Sequence, residues 1–338
     1  MSRASKIAFI VGSDKHDHQD WSTVVNFDLN GSTDLFKLIG LPNSNSFILH
    51  FAKSYFRQVG RHRLSSYDLL INLVTDPDQN PKVLNVISKA LKGCDVPVLN
   101  RPEYILRATR NGTAQMLASL AGLVVPRVVR VRAPSPSMLR SLQERRQIKF
   151  PVILRRAGSH GGQIIGLFDH PDQIPQLRAE AAGFTATEFI DFRSADGLYR
   201  KYRAFLIGGE LVFRHLLISD AWNIHMADRK RFMAPRDNLV AESEAFYQRG
   251  SGAVAASVRS TLLAIAEKLQ LDFFGVDFGL SSDGHPILFE ANPTMNFLPI
   301  SSDPKFAAMQ SCVPPAQEAL ARLIRARGRE RFTSDIRR

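Results

Sequence analysis

The chain has 338 residues, of which 44% are hydrophobic and 22% are charged, and its formal net charge is +12. This composition is typical of a soluble globular protein with two or three packed units, and it excludes a fibre or an extended disordered chain. No apolar run in the sequence is long enough to span a bilayer, and the N-terminal "MSRASKIAFIVG" lacks the features of a secretory signal. We therefore expect a cytoplasmic protein that does not act at a membrane.

The basic excess is concentrated in the C-terminal "RLIRARGRERFTSDIRR" and in the segments "RRAGSHGG" and "YRKYR". No helix-turn-helix, zinc-finger or aromatic RNA-binding signature accompanies these charges. A solvated tail and an anion-binding active site explain them more simply than nucleic acid does, so we do not expect a nucleic-acid partner. Cys94 and Cys312 are too far apart in sequence to suggest a metal site or a disulfide framework.

Short apolar runs bounded by turn residues predict buried parallel strands in the first third of the chain, at Lys6–Gly12, Tyr67–Val74 and Val96–Asn100. Between the last two, "PKVLNVISKALKG" begins with Pro81 and ends with Gly93, which are start and stop signals of a helix. A further helix is predicted over Asn111–Ala121. These elements predict an open α/β layer that ends near Pro126.

A glycine-rich loop separates the next two predicted strands, Val152–Arg155 and Ile164–Phe168. Its glycines, Gly158, Gly161 and Gly162, allow backbone N–H groups to close over a ligand. An ordinary hairpin with a glycine-rich turn explains the same pattern, so both interpretations stay open. The segment "TATEFIDF" (residues 185–192) then predicts another strand.

Two hairpins and a helix are predicted in the last part of the chain. "YRKYRAFLIGGELVFRHLLIS" predicts a hairpin that turns at Gly208 and Gly209, and "AVAASVRSTLLAIAEKLQ" (residues 253–270) has a helical period. "GVDFGLSSDGHPILFEANP" predicts a second hairpin, with its turn at Asp283 and Gly284.

This second hairpin carries acidic residues in apolar surroundings, where each would be costly to desolvate without a compensating partner. If its strands pair, Asp277, Glu290 and Asn292 can converge on one face. Three hard oxygen donors suit Mg²⁺ or Mn²⁺, which in turn prefers to bridge nucleotide phosphates. In the alternative interpretation, Asp277 caps a turn and Glu290 pairs with an arginine.

The order of these parts resembles the ATP-grasp superfamily of carboxylate–amine ligases, which includes glutathione synthetase, D-alanine:D-alanine ligase and the ribosomal-protein glutamate ligases. The resemblance implies an α/β and α+β ATP-grasp fold, with an open α/β pre-grasp domain at residues 1–125. A small central subdomain with the glycine-rich loop would occupy residues 126–190, and the subdomain with the metal site and basic tail would occupy 191–338.

The resemblance also implies an activity. The protein would be an ADP-forming ligase that works through an acyl phosphate, with ATP and Mg²⁺ or Mn²⁺ as cofactors. Its substrate would be a small amino acid or a peptide, and a homodimer is compatible with the family. The alternative is a noncatalytic nucleotide- or peptide-binding protein on the same scaffold.

Site residues follow from the same resemblance, which would assign the metal to Asp277, Glu290 and Asn292. Arg203 in "KYRAFLIGG" would face the phosphates and the acyl phosphate, together with Arg155 as a second catalytic residue. The implied nucleotide contacts are Arg110, Arg155, Gly158, Ser159, His160, Gly161, Gly162, Glu188, Phe189, Ile190, Asp191, Asp196 and Lys201. In this set, adenine would meet Glu188 and Ile190, and the ribose would meet Asp191 or Asp196.

The sequence departs from the family at the two positions that usually present lysines to the nucleotide phosphates. Arg155 takes the place before the glycine-rich loop, and Arg110 is the nearest cation at the other. Arginine can bind phosphate through two hydrogen bonds, so we expect nucleotide binding to survive the exchange, while an inactive nucleotide-binding member stays an alternative.

Another segment of the sequence lies where such enzymes often close over the acceptor. It contains His215, Trp222, His225 and Lys230. An amphipathic surface segment with ordinary histidines fits the same residues, and both interpretations stay open.

Overall fold

The computed structural model describes residues 6–14, 35, 38–39, 46–51, 64–159, 163–298 and 300–328. His160, Gly161 and Gly162 of the glycine-rich loop lie outside the described residues, as does 329–338 of the arginine-rich tail. In the part of the chain that the structure describes, no helix is long and apolar enough to cross a membrane.

In the described ranges, three four-stranded sheets follow one another along the chain, and each lies within one of the three predicted segments. The strands are β1 (Ile7–Gly12), β2 (Ser46–Phe51), β3 (Leu69–Asn72), β4 (Val98–Leu99), β5 (Val128–Val131), β6 (Val152–Arg156), β7 (Gly166–Phe168), β8 (Phe184–Glu188), β9 (Tyr199–Ile207), β10 (Glu210–Ser219), β11 (Phe273–Leu280) and β12 (Pro286–Asn292). The helices are α1 (Pro81–Ala90), α2 (Pro102–Arg107), α3 (Arg110–Leu117), α4 (Pro136–Glu144), α5 (Met226–Asp228), α6 (Asp237–Arg249), α7 (Ala256–Leu269) and α8 (Val313–Arg327).

The first sheet is parallel, with strand order β2-β1-β3-β4. Every residue of β3 is buried, which suits a parallel strand covered on both faces. Helix α1 begins with Pro81, which needs no N–H partner in the first turn, and it buries Val83, Leu84 and Ile87 on one face. The predicted open α/β layer is therefore confirmed.

The central sheet is antiparallel, with strand order β5-β8-β6-β7, and it has a hydrophobic core of its own. The first and third sheets instead share one continuous core. The prediction that a strand runs to Phe192 is wrong, because β8 ends at Glu188. Beyond that point, the side chain of Asp191 accepts a hydrogen bond from the Arg193 backbone N–H at 3.0 Å, a turn-forming contact that does not fit a strand.

The third sheet is antiparallel, with strand order β10-β9-β11-β12, and it contains both predicted hairpins. The first hairpin turns at Gly208 and Gly209, whose φ angles of 58° and 86° favour glycine. The second turns through Gly284, with φ at 79°. The antiparallel third sheet and the parallel first sheet together confirm the mixed α/β and α+β class.

Asn100 joins the first sheet to the third. Its Oδ1 accepts hydrogen bonds from the backbone N–H groups of Asp272 and Phe273 at 2.9 and 3.0 Å, and its Nδ2 donates to the Phe273 carbonyl at 2.8 Å. Its own N–H donates to the Asp272 carboxylate at 2.8 Å. These buried bonds fix the start of β11 against the end of β4.

Candidate active site

A cavity of about 740 Å³ lies where the three parts of the fold meet. Arg110 reaches it from the first residue of α3, and Arg155 reaches it from β6 of the central sheet. Lys201 and Arg203 reach it from β9 of the third sheet. Cations that are far apart in sequence are therefore brought to one cavity, as the resemblance implied.

Four side chains form a row across the cavity face of the third sheet. His215 on β10 lies opposite Arg203 on β9, Arg203 lies opposite Asp277 on β11, and Asp277 lies opposite Glu290 on β12. Residues directly opposite each other in an antiparallel sheet project from the same face. All four line the cavity. We refer to them below as the cavity row.

Asp277 is 5% exposed and is held by two cations of the neighbouring strand. The Nε and Nη2 atoms of Arg203 donate to its two carboxylate oxygens at 2.6 and 2.8 Å, and the Lys201 Nζ lies 3.5 Å away. Burial opposes ionisation, but Arg203 and Lys201 outweigh it and lower the pKa of Asp277 to about 2. Asp277 is therefore a buried carboxylate that stays ionised.

Glu290 lies at the other end of the cavity row, against α3. Its Oε1 is 2.8 Å from Arg110 Nη2 and accepts a hydrogen bond from Asn292 Nδ2 at 2.6 Å. Arg110 also donates to the Phe289 carbonyl at 2.8 Å. The structure thus brings Asp277, Glu290 and Asn292 together, as predicted for a metal site, and it also pairs Glu290 with an arginine, as the alternative expected.

The donor set of these residues fits a small divalent cation. Asp277, Glu290 and Asn292 offer carboxylate and amide oxygens from two adjacent strands. Mg²⁺ is bound in such sites by one or two carboxylates and completes its coordination with phosphate oxygens and water. Within the described ranges, no group of three or more His, Cys, Asp or Glu side chains could hold a metal ion, so a site here would depend on two carboxylates and the amide of Asn292.

Arg155 differs from the other cations because it has no carboxylate partner in the described part of the chain. Its Nε is buried and has no hydrogen-bond partner there. Burial and, next, the nearby charge of Arg110 lower the pKa of Arg155 to about 9, against the opposing effect of Glu290. A buried guanidinium of this kind is stabilised when an anion joins it. Arg155 therefore marks an anion-binding position in the cavity.

The segment after β8 contributes an apolar wall. Glu188, Phe189 and Ile190 line the cavity, and the Phe189 ring meets Trp222 edge to face, with centroids 5.3 Å apart. The Glu188 carboxylate accepts hydrogen bonds from the backbone N–H groups of Lys149 at 2.8 Å and Arg127 at 3.3 Å. This part of the site combines an apolar surface with backbone polar groups, which suits a flat heterocycle.

Among the described residues implied for the nucleotide, four do not line the cavity. The Asp191 carboxylate pairs with Arg193 at 2.9 Å and the Asp196 carboxylate pairs with Arg200 at 2.8 Å, so each ribose candidate is held by a nearby arginine. The other two are Gly158 and Ser159. The Gly158 carbonyl accepts a hydrogen bond from Gln79 Nε2 at 3.0 Å, and Ser159 Oγ donates to the Arg156 carbonyl at 2.6 Å.

Three of the four residues noted near the acceptor position line the cavity, namely His215, Trp222 and His225, whereas Lys230 is exposed. Arg214 also lines the cavity, is 2% exposed, and was not recognised from the sequence. Its signal was present as a basic residue inside the apolar strand "ELVFRHLLIS".

No protein-family model matches the sequence, and no curated protein matches it significantly. Similar solved structures include the VanG D-Ala:D-Ser ligase from Enterococcus faecalis, which is 16% identical with a TM-score of 0.47 and is aligned over 94% of this chain and 99% of that chain. The ATP-grasp ligase PsnB, complexed with a minimal precursor, is 13% identical with a TM-score of 0.49 over 95% of this chain and 100% of that chain.

A third similar structure is a Chryseobacterium gregarium RiPP-associated ATP-grasp ligase in complex with ADP and a leader and core peptide. It is 10% identical, with a TM-score of 0.48 over 97% of this chain and 98% of that chain.

Proposed function

We propose that this protein is an ATP-dependent carboxylate–amine ligase that forms ADP and acts on an amino acid or a peptide through an acyl phosphate. The observation that carries the proposal is the convergence of Arg110, Arg155 and Arg203 from three parts of the fold on Asp277 and Glu290 in one cavity. Grouped cations beside paired acids suit a triphosphate that arrives with divalent ions.

In this proposal the base of ATP lies against Phe189 and Ile190, and its phosphates extend towards Arg155. Asp277, Glu290 and Asn292 would hold Mg²⁺, or Mn²⁺ with the same oxygen donors. When bound, the metal ion supplies positive charge that neutralises the phosphate oxygens. The ribose ligand is left without a candidate from the sequence, since Asp191 and Asp196 lie outside the cavity lining.

The ion pairs of the cavity row give the arginines a second role. In the described structure, Arg203 and Arg110 neutralise Asp277 and Glu290. If these carboxylates were to hold a metal ion, the two guanidinium groups would lose their strongest partners and would be free to bind phosphate. Neither the acids nor the arginines would then be left buried without a counter-ion.

The reaction has two balanced steps. A carboxylate oxygen of the donor attacks the γ-phosphorus of ATP, the bond between the γ-phosphorus and the bridging oxygen breaks, and ADP leaves. The amine nitrogen of the acceptor then attacks the acyl carbon, the carbon–oxygen bond to phosphate breaks, and the nitrogen loses a proton. Arg155 and Arg203 stabilise the negative charge of the transferred group, where fixed cations contribute most.

The acyl phosphate must be protected from water, and the glycine-rich loop between β6 and β7 is the proposed cover. Gly158 at its start has φ at 69° and lies against Asp78 and Gln79 of the first unit. Closure of this loop over bound phosphates stays a prediction, since residues 160–162 lie outside the described part of the chain.

The test is acceptor-dependent release of ADP. Purified protein is incubated with ATP, Mg²⁺ and either pooled amino acids or pooled dipeptides, and ADP is measured by a coupled enzymatic assay. Hydroxylamine is added in parallel, because it converts an acyl phosphate into a hydroxamate that is detected with ferric ion. ADP release that requires substrate, together with hydroxamate formation, is the expected result.

The matched variants are Arg203→Met and Arg322→Met. Both arginines pair with a carboxylate through two hydrogen bonds, but Arg322 does so with Glu210 on the exposed surface. We expect Arg203→Met to lower turnover at least about tenfold and Arg322→Met to leave it unchanged. Full turnover in Arg203→Met would contradict the assignment of this cavity as the active site.

A noncatalytic nucleotide-binding protein is the second candidate. It is favoured by one observation: Arg110 and Arg155 stand where the family usually presents lysines, and Asp277 and Glu290 already have arginine partners. Saturable binding of ATP without ADP release, with every amino acid and dipeptide tested, would support this candidate over the ligase.

A further inference from the structure

His215 ends the cavity row on the side away from Glu290. It lies opposite Arg203 across β9 and β10, next to an irregularity in the strand pairing between Phe213 and His215. The acids that would bind the metal are on the far side of Arg203. Arg203 therefore separates His215 from the acids that would bind the metal, and His215 occupies the opposite end of the cavity row.

The His215 side chain is buried but lines the cavity, with 2% of the residue exposed. Its Nε2 is buried and has no hydrogen-bond partner in the part of the chain that the structure describes. A buried polar atom without a partner is unfavourable in a folded protein and needs a physical explanation. A ligand in the cavity would satisfy it.

The surroundings of His215 determine what that ligand can be. Burial comes first in holding the pKa of His215 well below its usual range, and the charges of Arg203, Arg214, Lys201 and Arg229 add to the effect. The imidazole is therefore neutral, with one ring nitrogen that can accept a hydrogen bond. In this part of the cavity, the His215 imidazole is a hydrogen-bond acceptor surrounded by the cationic side chains just named.

We propose that His215 is a positioning residue for the acceptor amine, whose N–H group donates a hydrogen bond to the neutral imidazole. The inference rests on the proposed ligase function and deepens it. The proposal takes the tautomer in which Nε2 carries the lone pair, because Arg203 and Arg214 already supply N–H donors for a substrate carboxylate in this part of the cavity. An N–H donor satisfies the imidazole without competing for the arginines.

The same geometry favours an amine that is uncharged when it binds. Arg203, Arg214 and Lys201 would repel an ammonium ion, whereas Trp222, Ile224 and Leu298 add apolar surface to the cavity. Attack on the acyl carbon needs a free nitrogen lone pair. A hydrogen bond from one N–H to His215 turns that lone pair away from the histidine, so binding and orientation are set by one contact.

The experiment compares His215→Leu and His215→Gln, with His285→Gln as the control, since His285 is exposed and lies outside the cavity lining. Hydroxylamine is the amine probe, because it is small and uncharged at neutral pH. The donors are the pool of twenty amino acids and, separately, the pool of dipeptides, and hydroxamate and ADP are measured with each. The concentrations of hydroxylamine and ATP are varied separately, and thermal unfolding is recorded for each variant.

We expect His215→Leu to raise the KM for hydroxylamine about tenfold and to lower the amount of hydroxamate formed per ADP, with the KM for ATP within about twofold of the wild-type value. His215→Gln keeps an acceptor oxygen and restores most of the coupling. His285→Gln behaves as the wild type.

An unchanged KM for hydroxylamine in His215→Leu would overturn the inference, and so would equal rises in the KM for ATP and for hydroxylamine. Failure of His215→Gln to recover any coupling would show that the histidine acts through packing. If the wild-type protein forms neither hydroxamate nor ADP, the ligase function itself is contradicted.

Discussion

Replacement of Arg155 by Met should affect stability and nucleotide binding in opposite directions. The Arg155 guanidinium faces the cavity without a carboxylate partner in the described residues, and burial lowers its pKa to about 9. Relative to an ordinary arginine, this shift corresponds to a cost on the order of 5 kcal/mol for the buried charge at neutral pH. Met keeps the apolar stem and removes the charge.

We expect Arg155→Met to raise the free energy of unfolding by about 1 to 2 kcal/mol, since the lost attraction of Glu290 and the imperfect packing of Met offset part of the gain. The affinity for ATP should fall, because a hydrogen bond to a charged group contributes about 1.5 to 3 kcal/mol, or roughly tenfold to a hundredfold. Arg155 would thus lower the stability of the folded protein while strengthening its binding of ATP.

Urea unfolding measures the first effect, and calorimetric titration with a nonhydrolysable ATP analogue and Mg²⁺ measures the second. Arg156→Met is the control, because the neighbouring Arg156 is exposed and pairs with Glu180 at 2.9 Å on the surface. A loss of stability in Arg155→Met with unchanged ATP affinity would show that Arg155 is a structural cation, and would refute the reasoning.

Three further predictions concern the same framework. Asp277→Asn should lower the free energy of unfolding at pH 7 by about 3 kcal/mol and should abolish turnover, because Arg203 is left buried without its counter-ion. Unchanged stability in urea together with unchanged ADP release would show that the ion pair is dispensable. As the pH falls from about 4 to about 2, the free energy of unfolding of the wild-type protein should fall by about 2 kcal/mol, because the lowered pKa of Asp277 stabilises the fold only while the carboxylate is ionised. Asp277→Asn lacks this contribution at every pH, so acid titration of the two proteins measures it as their difference. Asn100→Gly should lower the free energy of unfolding by about 2 to 3 kcal/mol, because the buried hydrogen bonds of the Asn100 side chain are lost while glycine still allows the φ of 52°. Unchanged stability would contradict the role of Asn100 in connecting the first sheet to the third.

The site was predictable from the sequence wherever local pattern determines position. The helical period with its Pro and Gly boundaries located α1, and the paired glycines located the hairpin that carries Arg203. The turn at Asp283 and Gly284 sets the register only as far as Phe278 opposite Leu288, and an irregularity between Phe278 and Asp277 then shifts the pairing so that Asp277 lies opposite Glu290. The turns and the helix depend on neighbouring residues and can be predicted, whereas the bulge that aligns the two acids cannot.

Other parts of the site depend on contacts between distant segments, which no local pattern reports. One such contact is the ion pair that Arg110 of α3 makes with Glu290, a residue 180 positions later in the chain. The burial of His215 results from the way that β10 lies beside β9 and faces the cavity. The strand was wrongly predicted to run to Phe192 for the same reason. The apolar residues of "FIDF" line the cavity and form a turn instead of pairing in the sheet.

The separate core of the central sheet has a consequence for how the protein unfolds. Val152, Leu154, Phe184 and Ala186 pack among themselves and their close neighbours, apart from the core that the other two sheets share. A cooperative unit is defined by contacts that are lost together, so the central unit can open without disrupting the larger one. Scanning calorimetry should then show two transitions, and a large-to-small substitution at Leu154 should shift only one. Bound nucleotide, which would contact both units, should draw the two transitions together.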